Sequence, residues 1–168
     1  MPVVDALNKF AKKVIKDSRS NLTRKDKKAS GGLYKSLDYK VENNNGLYSV
    51  TFLMEGYGKF IDKGVKGVGG TKADGSKWKV KKVVNSPFKY TSKMPPAKAF
   101  SQWTVRRGIA PRNKKGQFQS RKGLQFAIAK SVYHTGLETT NFFTTPLERE
   151  SLRLIDDLAS EVLDSIEL

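Results

Sequence analysis

Near the N-terminus apolar residues recur with helical spacing: Val3, Leu7, Phe10 and Val14, joined by Val4, Ala11 and Ile15. Lys9, Lys12, Lys13 and Lys16 fall largely on the other side, so the pattern predicts an amphipathic helix over residues 3–17. Residues 18–32 are polar and basic, end Ala-Ser-Gly-Gly, and read as a loop. Then the period changes. Leu37, Tyr39 and Val41 alternate with Asp38, Lys40 and Glu42, and residues 47–54 are rich in β-branched and aromatic side chains. Between them Asn43-Asn44-Asn45-Gly46 tolerates the positive φ of a tight turn, so residues 36–54 are predicted to form a β-hairpin. Residues 56–64 follow as an aromatic turn ending in glycine, in which Tyr57, Phe60 and Gly64 read as structural.

Beyond that turn the pattern weakens. Residues 65–85 open with Gly67, Gly69, Gly70 and Gly75, and Lys77-Trp78-Lys79-Val80-Lys81-Lys82-Val83-Val84 reads as an exposed strand or a basic extension. Met94-Pro95-Pro96 is placed to open a short helix reaching Val105, with Phe100 and Trp103 on one face. Residues 108–123 are a loop too charged to bury, and 122–133 a helix with Leu124, Ala127, Ile128, Ser131 and Val132 on one face and Gly136 as its stop. Thr145-Pro146 caps a last helix over 146–166, whose stripe is Leu147, Leu154, Leu158 and Val162, flanked by Leu152, Ile155, Leu163 and Ile166. At about 30 Å it is long enough to cross the sheet or reach a neighbour. The fold class predicted is α+β: one domain over 1–168, a small antiparallel β-sheet centred on the hairpin and packed against N- and C-terminal helices. Residues 65–122 are a basic, loop-rich insertion within it.

Charge changes this picture most. The net charge is +16, yet residues 147–168 hold seven acids against Arg149 and Arg153, while residues 57–122 hold eighteen Lys or Arg against Asp62 and Asp74. Such density repels itself and calls for an anionic partner, either nucleic acid or an acidic protein surface. Loops so poor in apolar residues bury too little to offset their ordering entropy, so disorder in the free protein is expected there. With no cysteine, disulfides and thiolate metal sites are excluded. No apolar run approaches the roughly 20 residues of a membrane span, and Met1-Pro2-Val3-Val4-Asp5 lacks a signal peptide's pattern, so the expected place of synthesis is the cytoplasm.

Candidate chemistry is sparse. His134 is the one histidine and reads as a surface or capping residue; Asp156 and Asp157 diverge on a helix; Gly67-Val68-Gly69-Gly70-Thr71-Lys72 lacks full phosphate-loop spacing and reads as a flexible loop. The expectation is no enzyme, no catalytic residue, no metal and no cofactor. The basic runs interleave with Trp78, Phe88, Tyr90 and Phe118, so cations could neutralise phosphates while rings stack on bases. The residues expected to contact a partner or DNA are Lys77, Trp78, Lys79, Lys81, Lys82, Arg106, Arg107, Arg112, Lys114, Lys115, Arg121 and Lys122.

The order of the elements resembles the tail-component family of long-tailed bacteriophages, the tail-completion or head-to-tail joining proteins. The residues that carry the likeness are Gly32-Leu33-Tyr34-Lys35-Ser36 before the hairpin and Tyr57-Gly58-Lys59-Phe60-Ile61-Asp62-Lys63-Gly64 after it. Phe142-Phe143-Thr144-Thr145-Pro146-Leu147 then opens the last helix, and residues 127–136 resemble the family's helix-then-glycine. Two departures stand out: Ala29-Ser30-Gly31 replaces the usual proline, and residues 65–122 are longer and more basic. The resemblance implies a structural virion protein of the neck or tail with no catalytic duty. It would form a homo-oligomeric ring, a hexamer or dodecamer, between portal or adaptor and tail proteins, surrounding the DNA channel, with non-specific contact to packaged DNA and no membrane. The alternative reading is a basic nucleic-acid-binding accessory protein, for example ribosome-associated.

Overall fold

In a computed structural model, which describes residues 2–27 and 31–166 and the side chains among them as far as Ser160, the N-terminal helix is longer than its apolar spacing suggests. Helix α1 covers Pro2–Arg24. Leu7, Ala11, Val14, Ile15, Ser18 and Leu22 are its buried residues, so the stripe runs one turn past Asp17 through a serine and a leucine. The expected loop over 18–32 is therefore corrected: helix continues to Arg24. Ser18 disguised this, because a hydroxyl on the inner face reads as a polar break. Helix α2, Gly32–Ser36, is a single turn that buries Leu33. Arg19 fastens it from α1, donating through Nε to the Tyr34 carbonyl at 3.0 Å and through a terminal nitrogen to the Leu37 carbonyl at 2.9 Å.

The hairpin forms as the alternation predicts. Strand β1, Asp38–Asn44, pairs antiparallel with β2, Leu47–Leu53, with Val41 opposite Val50 and Tyr39 opposite Phe52. Asn45 and Gly46 turn it with φ of 53° and 87°, the positive pair that a two-residue hairpin turn needs. Tyr39, Val41, Tyr48, Val50 and Phe52 form the half-buried face. Phe52 meets Phe10 of α1 edge-on at 6.0 Å between ring centroids and Phe143 at 5.3 Å.

The C-terminal helix α6 covers Thr144–Ile166, so Thr145 lies inside it rather than capping it. Carbonyls of Asn141 and Phe143 accept from the amides of Thr145 and Leu147 and start the ladder. α6 runs antiparallel along α1, and the two terminal helices pack with the hairpin around Phe142, Leu22, Leu37 and Val14. Its expected stripe is covered only in part: Leu147, Leu154 and Leu158 are half-buried, whereas Pro146 and Glu150 are the buried positions. Val162, Leu163 and Ile166 lie outside the described side chains, as do Ala29 and Ser30.

The chain divides into two compact units, residues 1–58 with 141–168 and residues 59–140. The elements above make up the first. In the second, the aromatic turn is most of a short helix, α3 (Gly58–Lys63), followed by β3 (Val65–Lys66), a 3-10 turn (Ala97–Phe100), α4 (Ser101–Arg106), α5 (Arg121–Thr135) and β4 (Gly136–Leu137). β3 pairs antiparallel with β4. The proline-initiated helix appears where predicted, and α5 ends at Gly136. Its inner face is centred on the fully buried Ala129, while Ala127, expected inside, is exposed. No strand forms over 77–84, so the basic-extension reading holds.

The two units are built differently. Most of the buried apolar residues, from Leu7 to Leu37 and Phe142, belong to the first; Val65 and Ala129 are those of the second. The second instead leans on hydroxyls that satisfy backbone carbonyls. Ser86 donates to Gly64 at 2.7 Å, Thr139 to Lys63 at 2.8 Å and Thr140 to Ile61 at 2.6 Å.

Candidate interaction surface

All twelve residues expected to touch a partner lie in the second unit. So does the whole charge excess. Residues 59–140 contain nineteen Lys or Arg against Asp62, Asp74 and Glu138, which accounts for the full +16; the first unit holds thirteen of each sign and is neutral.

Helix α5 organises this surface. Its last carbonyls would be orphaned at a free helix end. Here Val68 and Gly69 donate to Tyr133 and His134 at 3.1 and 2.9 Å, and Lys81 donates to Thr135 at 2.8 Å. The glycine segment is thus a cap, not a flexible loop. A Cβ on Gly67 would lie 2.3 Å from the His134 carbonyl oxygen and 2.4 Å from the Gly136 nitrogen, so only glycine lets the chain approach this closely. His134 is half-buried here, its Nδ1 2.6 Å from the Gly69 carbonyl and its ring stacked on Trp78 at 4.9 Å and 2°. It pins the basic segment to the helix.

Two short hairpins flank α5, and they are the same structure. Over 70–78, Trp78 donates to Gly70, Lys72 to Ser76 and Gly75 to Lys72, at 2.9, 2.7 and 3.0 Å. Over 111–119, Gln119 donates to Pro111, Asn113 to Gln117 and Gly116 to Asn113, at 2.8, 2.9 and 2.9 Å. Both turns place a glycine at positive φ, Gly75 at 82° and Gly116 at 79°. Different side chains brace them. Asp74 accepts from both the hydroxyl and the amide of Ser76, which hold its carboxyl below the usual range. Asn113 accepts from the amides of Lys115 and Gln117. Each hairpin carries a cation over an aromatic ring: Lys72 over Trp78 at 5.2 Å and Arg112 over Phe118 at 4.1 Å. No repeat shows in the sequence because only the glycine recurs; the pairing is backbone to backbone.

Lys77 and Trp78 form the return limb of the first hairpin, and Lys79, Lys81 and Lys82 continue from it, exposed. Lys114 and Lys115 are the exposed tip of the second, beside Arg112. Arg121 and Lys122 open α5, whose first turn holds no acid, although the helix dipole there disfavours cations. Ser120 caps that end, accepting from the Lys122 amide at 3.3 Å. Arg106 ends α4 and Arg107 caps it, shortly before the second hairpin opens at Pro111, with Arg107 over Trp103 at 5.7 Å. Three of the four aromatics are engaged by other rings. Trp78 lies between His134 and Lys72, Phe88 meets Phe60 at 4.7 Å and Tyr90 meets Tyr133 at 5.9 Å. Phe118 is 70% exposed but has Arg112 on it.

In the first unit, an open cleft of about 450 Å³ is lined by Lys12, Lys16, Arg19 and Tyr34 among others. Arg19 is committed to α2, and Asp38 stands in the same lining as the lysines. Among the described residues no group of three His, Asp or Glu is placed to hold a metal ion, and no helix is long and apolar enough to cross a membrane. No family model matches the sequence, and neither a curated protein nor a solved structure matches it.

Proposed function

We propose that this chain is a structural, non-catalytic component of a bacteriophage virion, one subunit of an oligomeric ring that joins portal to tail at the neck. What supports the reading, beside the motif likeness, is that one chain carries two unlike surfaces. A ring built from identical copies needs a heterologous interface, one patch meeting a different patch on the next copy. The second unit is densely cationic. The first presents on α6 an outer face on which Leu152 and Ile155, 66% and 62% exposed, lie one turn apart between the acids Glu148 and Asp156. An apolar pair inside an acidic frame matches the composition of an interface core with a polar rim. The basic unit of one copy would meet this face on the next.

The test is the mass of the purified chain by light scattering, beside a Leu152→Arg, Ile155→Arg variant. A closed oligomer that falls to monomer in the variant, with helix content kept, is the expected result. A wild type that is monomeric at every concentration overturns the ring. Neutralising Lys79, Lys81, Lys82, Arg112, Lys114 and Lys115 together is expected to impair particle assembly or DNA retention. The charge partition also favours a second reading, a nucleic-acid-binding accessory protein. A monomer with steeply salt-dependent nucleic-acid binding is its signature.

A further inference from the structure

We infer that the two matching hairpins of the second unit are a paired grip on the phosphate backbone of duplex DNA. The choice of duplex DNA rests on the connector reading, which brings packaged genome within reach; the grip itself rests on the two hairpins and the cations at both ends of α5.

The hairpins share one hydrogen-bond pattern, register for register, although Ala73 and Asp74 stand at the tip of the first where Lys114 and Lys115 stand in the second. They mark the two ends of α5. The first is anchored on His134 and Thr135 in its last turn, and the second ends at Gln119, next to the cap residue Ser120. Fifteen residues of helix set them about 20 Å apart. On a duplex carrying one charge per 1.7 Å of axis, that distance spans about a dozen phosphates. Exposed cations crowd both ends: Lys77, Lys79 and Lys81 at one, Lys114, Lys115 and Lys122 at the other.

The Trp78 ring argues against single strands. A single-strand platform offers open aromatic faces on which bases stack. Trp78 is covered by His134 and Lys72, and Phe118 carries Arg112, so these rings steady cations instead. Backbone contact without base contact gives affinity without sequence preference. The cations at the α5 N-terminus oppose the helix dipole, a local cost that a phosphate neighbour relieves.

Binding is read by anisotropy of a labelled duplex of about 30 base pairs as salt is raised. Each phosphate-bound cation adds about 0.9 to the log–log salt slope. Replacing Lys77, Lys79, Lys81, Lys114, Lys115 and Lys122 by Gln is therefore expected to reduce that slope by about 5. Six neutralisations in the first unit, at Lys9, Lys12, Lys16, Lys25, Lys35 and Lys40, remove the same net charge and are expected to leave it within about 1 of wild type. Far-ultraviolet circular dichroism checks that both variants fold.

No duplex binding by the wild type, an unchanged slope in the second-unit variant, or equal losses in the two variants overturns the grip. So does tighter binding to the single strand than to the duplex. Polyglutamate that competes as well as DNA, charge for charge, also overturns it, in favour of an acidic protein surface. A monomer that binds duplex this way would sink the ring and leave the grip standing; a ring that ignores DNA does the reverse.

Discussion

Ser18 and Glu150 are where single side chains depart furthest from what their types suggest. Ser18 is fully buried on α1 and its hydroxyl has no hydrogen-bond partner. An unsatisfied buried hydroxyl costs more than a methyl of similar size, and alanine also favours the helix. Ser18→Ala is expected to raise unfolding free energy by about 1 kcal/mol, read by urea denaturation; a loss of stability would mean the hydroxyl has a role the packing does not reveal. Glu150 is 4% exposed, yet Arg149 and Arg153 donate to it at 2.8 and 2.9 Å and Lys13 lies 3.7 Å away. Arg149 also pairs with Asp17. Burial alone would raise the Glu150 pKa; the hydrogen bonds from Arg149 and Arg153, with the charges of Arg153 and Lys13, outweigh it and hold the carboxyl below its usual range. The unfolded chain thus binds this proton more readily than the folded one. The stabilisation is present above the ordinary glutamate pKa and is lost as pH falls through the lower folded value. Glu150→Gln is expected to cost about 2 kcal/mol at neutral pH, less than a fully buried pair because its cations are half exposed. That cost should shrink as wild type and variant are unfolded at progressively more acid pH; a cost independent of pH would contradict the ion-pair account.

Elements with a strong period were legible, and those held by particular bonds were not. The hairpin followed from alternation and an Asn-Gly turn. The apolar spacing ends α1 early because its stripe passes through Ser18, and Arg19, a surface residue by type, ties α2 to it. The segment over 65–84 gave the least away. Glycines suggested flexibility, whereas they let backbone close over the end of α5, a fit visible only in three dimensions. Gly67→Ala tests this: a methyl pressed into helix backbone is expected to cost about 3 kcal/mol. The loss should appear first as faster hydrogen exchange at the amides of Val68 and Gly69. Unchanged exchange there would refute the capping role. The cations of the interaction surface were legible from composition, but their arrangement in two like hairpins was not, since no side-chain repeat accompanies the backbone one.

For the whole molecule, the division of charge is the physical fact on which the rest depends. A neutral unit with a continuous apolar core is joined to a cationic one held largely by hydroxyl-to-carbonyl bonds. With less apolar burial per residue, the second unit is expected to open at lower free energy, so its amides should exchange faster than those of α1. Equal protection across both would contradict that difference. Self-repulsion in so basic a unit also means that an acidic neighbour or a polyanion should stabilise it. In the proposed ring, the next copy's acidic helix and DNA would meet that need. The most direct test is the mass of the purified chain in solution. A closed oligomer of six or twelve copies that Leu152→Arg with Ile155→Arg reduces to monomers is expected; a chain that stays monomeric at every concentration and salt would overturn the proposed ring.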